Sequence, residues 1–137
     1  MKLRLNANAV VLNNKNEILA IKLKKGPFCG RLCIPGGGIE PGELGNETIV
    51  REIKEETGIE LKDKPTSFGY CELINKKLDS YRIVLLFYCN GEGKPAETEE
   101  GIAMWKKIDE VERDGIPFAK EAIRIGKAGE NYFRIVE

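Results

Sequence analysis

Histidine is absent from this 137-residue chain. Its absence excludes Ser-His-Asp and Cys-His nucleophilic catalysis and any histidine-ligated zinc. Acid–base or metal chemistry near pH 7 must rest on carboxylates, lysines, cysteines or tyrosines. Net charge is absent as well. Lys and Arg number 22 and Asp and Glu number 22, so no broad basic field favours nucleic acid as a partner. No apolar run approaches the roughly 18 residues that span a bilayer, so no membrane association is expected. The N-terminal Met1-Lys2-Leu3-Arg4-Leu5-Asn6 lacks the apolar stretch and cleavage site of a secretory leader. The four cysteines, Cys29, Cys33, Cys71 and Cys89, form no CxxC pair. They are expected as two buried and two semi-exposed free thiols in a reducing, cytoplasmic compartment.

What is present suits one globular domain over residues 1–137. Apolar alternation from Leu3 to Leu12 predicts a strand with Leu3, Leu5, Ala7, Ala9 and Val11 on one face. The turn cluster Asn13-Asn14-Lys15-Asn16 and a second strand over Glu17–Leu23 complete a hairpin. Residues 24–38 read as loop. A helix is expected over 44–57, stopping at Gly58. Strands are expected at Thr66–Ile74, Tyr81–Cys89 and Ile102–Ile108. A short helix starts at Asp109, and a second runs from Pro117 to Ile125 with Gly126 after its end. The tail Asn131–Val136 reads as a strand or an extended arm. Strands on both sides of a helix, with more helix at the C-terminal end, make this a mixed α/β domain.

The informative stretch runs from Gly36 to Ile59, GGGIEPGELGNETIVREIKEETGI. At about 100° per residue, Ile49, Val50, Ile53 and Thr57 share one helical arc and form the core-facing stripe. Glu52, Glu55 and Glu56 share the adjoining arc. Three like charges on one flank repel one another, and near a helix C-terminus the macrodipole disfavours them further. A bound divalent cation removes the conflict, and hard oxygen ligands suit Mg²⁺ or Mn²⁺. Arg51, in i,i+4 relation to Glu55, can hold that carboxylate. Glu43, one turn ahead of the helix, can reach the helix N-terminus or Arg51. The run Gly36-Gly37-Gly38 lets backbone approach a ligand closely, because glycine has no Cβ.

This stretch resembles the Nudix box, G-x5-E-x7-R-E-U-x-E-E-x-G-U with U aliphatic, at every defined position. The matching residues are Gly37, Glu43, Arg51, Glu52, Ile53, Glu55, Glu56, Gly58 and Ile59. The box covers about a sixth of the chain, and the order of elements around it fits the Nudix fold, an α/β/α sandwich with a mixed β-sheet. The resemblance implies Mg²⁺- or Mn²⁺-dependent hydrolysis of a nucleoside diphosphate linked to another moiety. It implies Glu52, Glu55 and Glu56 as metal ligands, with a carbonyl near Gly36 or Gly37 as another. Arg51 and Glu43 orient them. A further acidic residue is expected from the loop after the box, with Glu100 or Glu99 ahead of Glu97 and Asp79. Either Glu52 or Glu100 is the general base, Glu52 being preferred.

Leu32 stands where the family often has Trp, and Thr48-Ile49 where many members have alanines. Gly45, in the first helical turn, is expected to cost about 1 kcal/mol relative to Ala. Ile74 and Lys76 stand where ADP-ribose-type members tend to carry proline and dinucleoside-polyphosphate members tyrosine. Both differences point to a small MutT-like enzyme that cleaves a nucleoside triphosphate, canonical or damaged, to monophosphate and pyrophosphate. ADP-ribose or nucleotide-sugar hydrolysis is the alternative, and a non-hydrolytic nucleotide sensor is the rival of another class. Candidates to hold the nucleotide are Arg4, Lys22, Lys24, Phe28, Arg31, Tyr70, Tyr81, Arg82 and Phe118. A homodimer is compatible with the resemblance, since many relatives form one.

Overall fold

The alternating N-terminal segment forms β1 (Lys2–Leu12), and the Asn cluster turns it into β2 (Glu17–Leu23). Asn13 holds that turn, its Oδ1 accepting from the Lys15 and Glu17 amides at 3.0 and 2.9 Å. These two strands come from a computed structural model that describes every residue, Met1–Glu137. After them come β3 (Leu32–Cys33), β4 (Gly36–Gly38), α1 (Gly45–Thr57), β5 (Glu60–Leu61), β6 (Thr66–Asn75) and β7 (Ser80–Glu92). The chain continues with β8 (Gly101–Lys107), α2 (Ile108–Asp114), α3 (Pro117–Ala128) and β9 (Tyr132–Val136). No helix is long and apolar enough to cross a membrane.

The sheet order is β3-β2-β1-β7-β6-β9, with β4 also on β1, β5 on β7 and β8 on β2. It is mixed, as expected: β1–β7 and β6–β9 are parallel, and the other pairs antiparallel. One face packs under α2 and α3 through Ile18, Val84, Leu86, Val111, Ala122 and Ile125. The other packs under α1 through Ala7, Ala9, Val11, Ile49, Ile53 and Phe87. The architecture is therefore the α/β/α sandwich. β1 pairs with β7 along its whole length on one edge. On the other edge it meets β2 at Leu12↔Ile18, and β4 occupies the space beside Asn6–Asn8. That divergence of β1 from β2 admits the glycine strand to the sheet.

Several local expectations need correction. The loop at 24–38 contains β3 and β4, and β5 was not expected. Runs of two or three residues are too short to carry periodicity. The buried stripe of α1 takes in Thr48, while Val50 is 49% exposed. Thr48 can be buried because its hydroxyl donates to Glu43 Oε1 at 2.6 Å, which leaves no polar atom unpaired. Helix α3 does not end at Ile125. It runs through Gly126 and ends at Gly129, which is left-handed at φ 69° and bonds to the Ile125 carbonyl. The tail is a strand. Gly58 does end α1, left-handed at φ 74°. Cys71 and Cys89 are buried, Cys33 is half-buried and Cys29 is exposed, all four being free.

Gly45 reverses its expected sign. A Cβ there would lie 2.8 Å from Phe87 Cζ and 3.1 Å from Leu85 Cδ1. The missing side chain lets the start of α1 sit against a buried ring. Ala at this position gains about 1 kcal/mol of helix propensity but overpacks a site where inserted atoms cost about 1–3 kcal/mol. Gly45→Ala is expected to lower the melting temperature. A thermal melt that rises would show that the Phe87 contact yields without cost.

Candidate active site

Helix α1 brings its acidic flank, not Val50, against the sheet. The partner surface is β4, pinned in place by three bonds. Ala9 N donates to Pro35 O at 3.0 Å, Asn8 Nδ2 to Ile34 O at 3.1 Å, and Ile39 N to Leu5 O at 3.0 Å. Glycine is required at both contact points. A Cβ on Gly36, at φ 157°, would fall 2.2 Å from the Ala7 carbonyl oxygen, and one on Gly37 would fall 2.5 Å from Glu52 Cδ.

Arg51 ties the pieces together. Its Nε and Nη2 donate to Glu43 Oε2 and Oε1 at 2.8 and 2.9 Å, a forked pair that fixes both groups. Nη1 donates to Glu52 Oε1 at 2.8 Å, and Nη2 also reaches Gly38 O at 3.1 Å. Glu55, the partner expected from i,i+4 spacing, is a more distant contact at 3.5 Å and its side chain is 59% exposed. Glu43 thus reaches Arg51 rather than the helix N-terminal amides. The Arg51 and Thr48 hydrogen bonds hold its carboxyl down at about 2.

Glu52 and Glu56 experience the opposite effect. Glu52 is 15% exposed, and burial raises its pKa despite the Arg51 bond. Glu56 Oε1 accepts from Gly36 N at 3.0 Å. Burial pushes its pKa well above the usual carboxylate range, and the negative charges of Glu52 and Glu100 push it further. Glu100 therefore stands beside Glu56. Its loop is seated by Ala96 N donating to Thr57 O at 2.9 Å and Trp105 Nε1 donating to Gly93 O at 2.7 Å. Of the other acidic candidates, Glu97 pairs with Lys24 and Asp79 with the N-terminal amine. Glu99 is exposed.

The donor set here is oxygen throughout: three carboxyls, a fourth on Glu55, and the backbone of a strand without side chains. That chemistry fits a hard divalent cation. Burial beside like charges gives such an ion something to neutralise at Glu56. As they stand, no three carboxylates converge into a closed metal-holding group.

A cleft of about 590 Å³ opens from Glu56, Glu100 and Gly36–Gly38 across the sheet. Among the nucleotide-holding candidates it collects Phe28, Arg82 and Phe118. The others are elsewhere. Lys22 and Arg31 line a separate basic trough with Lys106 and Arg113. Arg4 lies at a neighbouring depression that it shares with Arg82. Lys24 is engaged with Glu97 and the Thr98 carbonyl. Tyr81 donates to Glu72 at 3.1 Å and Tyr70 packs against Tyr132, rings tilted by 52° with centroids 5.1 Å apart, neither of them lining the cleft. Sequence reasoning missed Asn6 and Asn8 on the cleft floor and Leu73, Ile135 and Glu137 at its far end. The asparagines had a signal: two amides alternating with Ala7 and Ala9 face away from the α1 core.

A family model for the NUDIX domain matches residues 2–124. The chain belongs to the Nudix family. Nudix hydrolases use a divalent metal. The chain is 51% identical over 49 residues to an ADP-ribose pyrophosphatase of Methanocaldococcus jannaschii. That match covers 36% of this chain and 29% of the archaeal protein. It is 29% identical over 120 residues to the 8-oxo-dGTP diphosphatase of Escherichia coli, covering 85% of this chain and 90% of that one. A crystal structure of a MutT NUDIX hydrolase from Burkholderia pseudomallei superposes with a TM-score of 0.79 at 23% identity. It covers 90% of this chain and 98% of its own, which shows the shared fold.

The Glu43–Arg51 pair has a pH signature. Glu43 is held charged in the fold, so the stabilisation is fully present above its ordinary value of 4.5 and is lost as pH falls toward about 2. The stability gap between wild type and Glu43→Gln, from denaturant melts, is expected to be constant above about pH 5. It should narrow steadily below that. A gap independent of pH would contradict the ion pair.

Proposed function

We propose that this chain is a Nudix pyrophosphohydrolase that cleaves a nucleoside triphosphate, canonical or damaged, to monophosphate and pyrophosphate, using Mg²⁺ or Mn²⁺. The observation that carries this reading is the gathering of Glu52, Glu56 and Glu100 against a glycine strand at one end of a cleft lined by apolar, amide and charged side chains. Glu52, Glu55, Glu56 and the Gly37 carbonyl would hold the ion. When bound, it supplies charge neutralisation at the phosphates and lowers the pKa of a water. Glu52 takes the proton from the attacking water, with Glu100 as the competing base. Arg51 and Glu43 keep the Glu52 carboxylate at a fixed position against β4. The cleft supplies an aromatic face at Phe118 and a cation at Arg82 for a polar or anionic part of the substrate.

The near-complete overlap with the Escherichia coli 8-oxo-dGTP diphosphatase supports a triphosphate substrate. The local 51% match to the archaeal ADP-ribose pyrophosphatase supports ADP-ribose as the second reading. An intact set of box glutamates argues against a purely sensing role.

Phosphate and pyrophosphate release should be measured across canonical and oxidised triphosphates, ADP-ribose, dinucleoside polyphosphates and nucleotide sugars. Release of pyrophosphate with Mg²⁺ or Mn²⁺, and no requirement for zinc, is expected. Removing a metal-facing carboxylate forfeits several kcal/mol of transition-state stabilisation, so Glu56→Gln should reduce kcat about a thousandfold while the fold survives. Unchanged turnover in that variant would remove the metal-site assignment. No hydrolysis of any compound by the wild type would favour the sensor.

A further inference from the structure

The family match ends at residue 124, and the chain beyond it adds a wall to the cleft. This C-terminal segment finishes α3 and forms β9, which joins the edge of β6 in parallel from Tyr70↔Tyr132 to Ile74↔Val136. The junction is built for this strand. Tyr70 N donates to Asn131 O at 3.0 Å, and a Cβ on Gly69 would fall 2.2 Å from that same oxygen. Alternation sends Phe133, Ile135 and Glu137 to one face. Phe133 is buried near Phe118, with ring centroids 6.2 Å apart. Ile135 and Glu137 reach the cleft, at the end that also holds Leu73 and Asn75.

Glu137 is fastened there. Its amide donates to Ile74 O at 2.8 Å, its carbonyl accepts from Lys76 N at 2.9 Å, and its Oε2 accepts from Asn75 Nδ2 at 3.1 Å. The Asn75 amide oxygen is itself engaged, accepting from Leu78 N at 3.1 Å. This end of the cleft therefore offers an aliphatic face and a carboxylate that accepts hydrogen bonds without donating any. Arg82, on the same floor two strands away by register with Leu73, adds a donor.

We infer that β9 reads the base of the substrate, Ile135 packing against its face and Glu137 accepting from adjacent N–H donors of a guanine-type edge. This rests on the proposed hydrolase function, in which the phosphates lie at the Glu52–Glu56 end and the base must extend away from them. Guanine presents N1–H beside an amino group, two donors side by side for one carboxylate, with a carbonyl next to them for an arginine. Thymine and uracil present a single N–H between two carbonyls, and both carbonyls would face the Glu137 charge unfavourably. A site that accepts from a ligand N–H discriminates against ligands lacking it.

The test compares kcat/KM for GTP, dGTP, ATP, CTP, UTP and dTTP in wild type, Glu137→Gln and Ile135→Ala. Calorimetric binding of GMP and UMP is measured in parallel. Wild type should prefer guanine over uracil and thymine by about tenfold or more. Because Glu137 is exposed, its replacement should reduce that ratio about tenfold, chiefly through KM. Ile135→Ala should weaken every base, purines most. Equal losses for all bases in both variants would make β9 a structural brace and overturn the inference, as would a wild type indifferent to base. GMP binding that depends on Glu137 in a protein that hydrolyses nothing would sustain the base reading while the hydrolase reading fails.

Discussion

Everything at the site depends on how closely a helix carrying carboxylates approaches a strand made of glycine. Any side chain at Gly37 would occupy the space of the Glu52 carboxyl, and any at Gly36 would collide with β1. The approach buries acidic groups, which is costly unless they are paired or neutralised. Arg51 neutralises the near side by donating to Glu43 and Glu52 together. The far side, at Glu56, is left to a backbone amide and two neighbouring negative charges. The fold thus holds its acidic groups in an arrangement that a cation would relieve, which is the electrostatic logic of a metal-using family.

The cleft exists because β1 is shared unequally. β7 follows it over its full length, while β2 meets it at one end and then diverges. β4 fits beside β1 where β2 has left it, carrying the backbone to Glu52 and Glu56. Strand alternation turns Asn6 and Asn8 toward the cleft while Ala7 and Ala9 remain under α1. One strand therefore contributes small residues to a helix interface and amides to a substrate cleft, and its alternating sequence serves both.

Much of this was legible in the sequence. The strands with sustained alternation, the end of α1 at Gly58 and the spacing of Glu52, Glu55 and Glu56 follow from periodicity and capping. What failed has a common cause. β3, β4 and β5 are too short to show a period. The helical arc put Val50 in the core-facing stripe and did not include Thr48, because hydropathy alone does not register that Thr48 can be buried once Glu43 accepts its hydroxyl. Gly45 read as a propensity defect, and Gly126 as a terminus. Both judgements were local, and Phe87 and the rest of α3 overrode them. Both partners expected for Arg51 are in contact with it, but Glu43, eight residues away, has the closer, forked geometry, while Glu55 lies at 3.5 Å.

The two ends of the cleft differ in how they are encoded, and this explains why reaction class can be read more easily than substrate. The carboxylate end comes mainly from one continuous run, Gly37 to Ile59, in which helix periodicity and the glycine strand fix the geometry, with Glu100 the one distant addition. The other end is assembled from Leu73 on β6, Arg82 on β7, Phe118 on α3 and Ile135 on β9. Leu73 and Arg82 meet across the β6–β7 hairpin, but Phe118 arrives on α3 and Ile135 through the parallel pairing of β6 with β9. Parallel pairs require long connections, so no short spacing can record them. A chain can therefore keep every residue of the box and still differ in the residues that line the far end of its cleft.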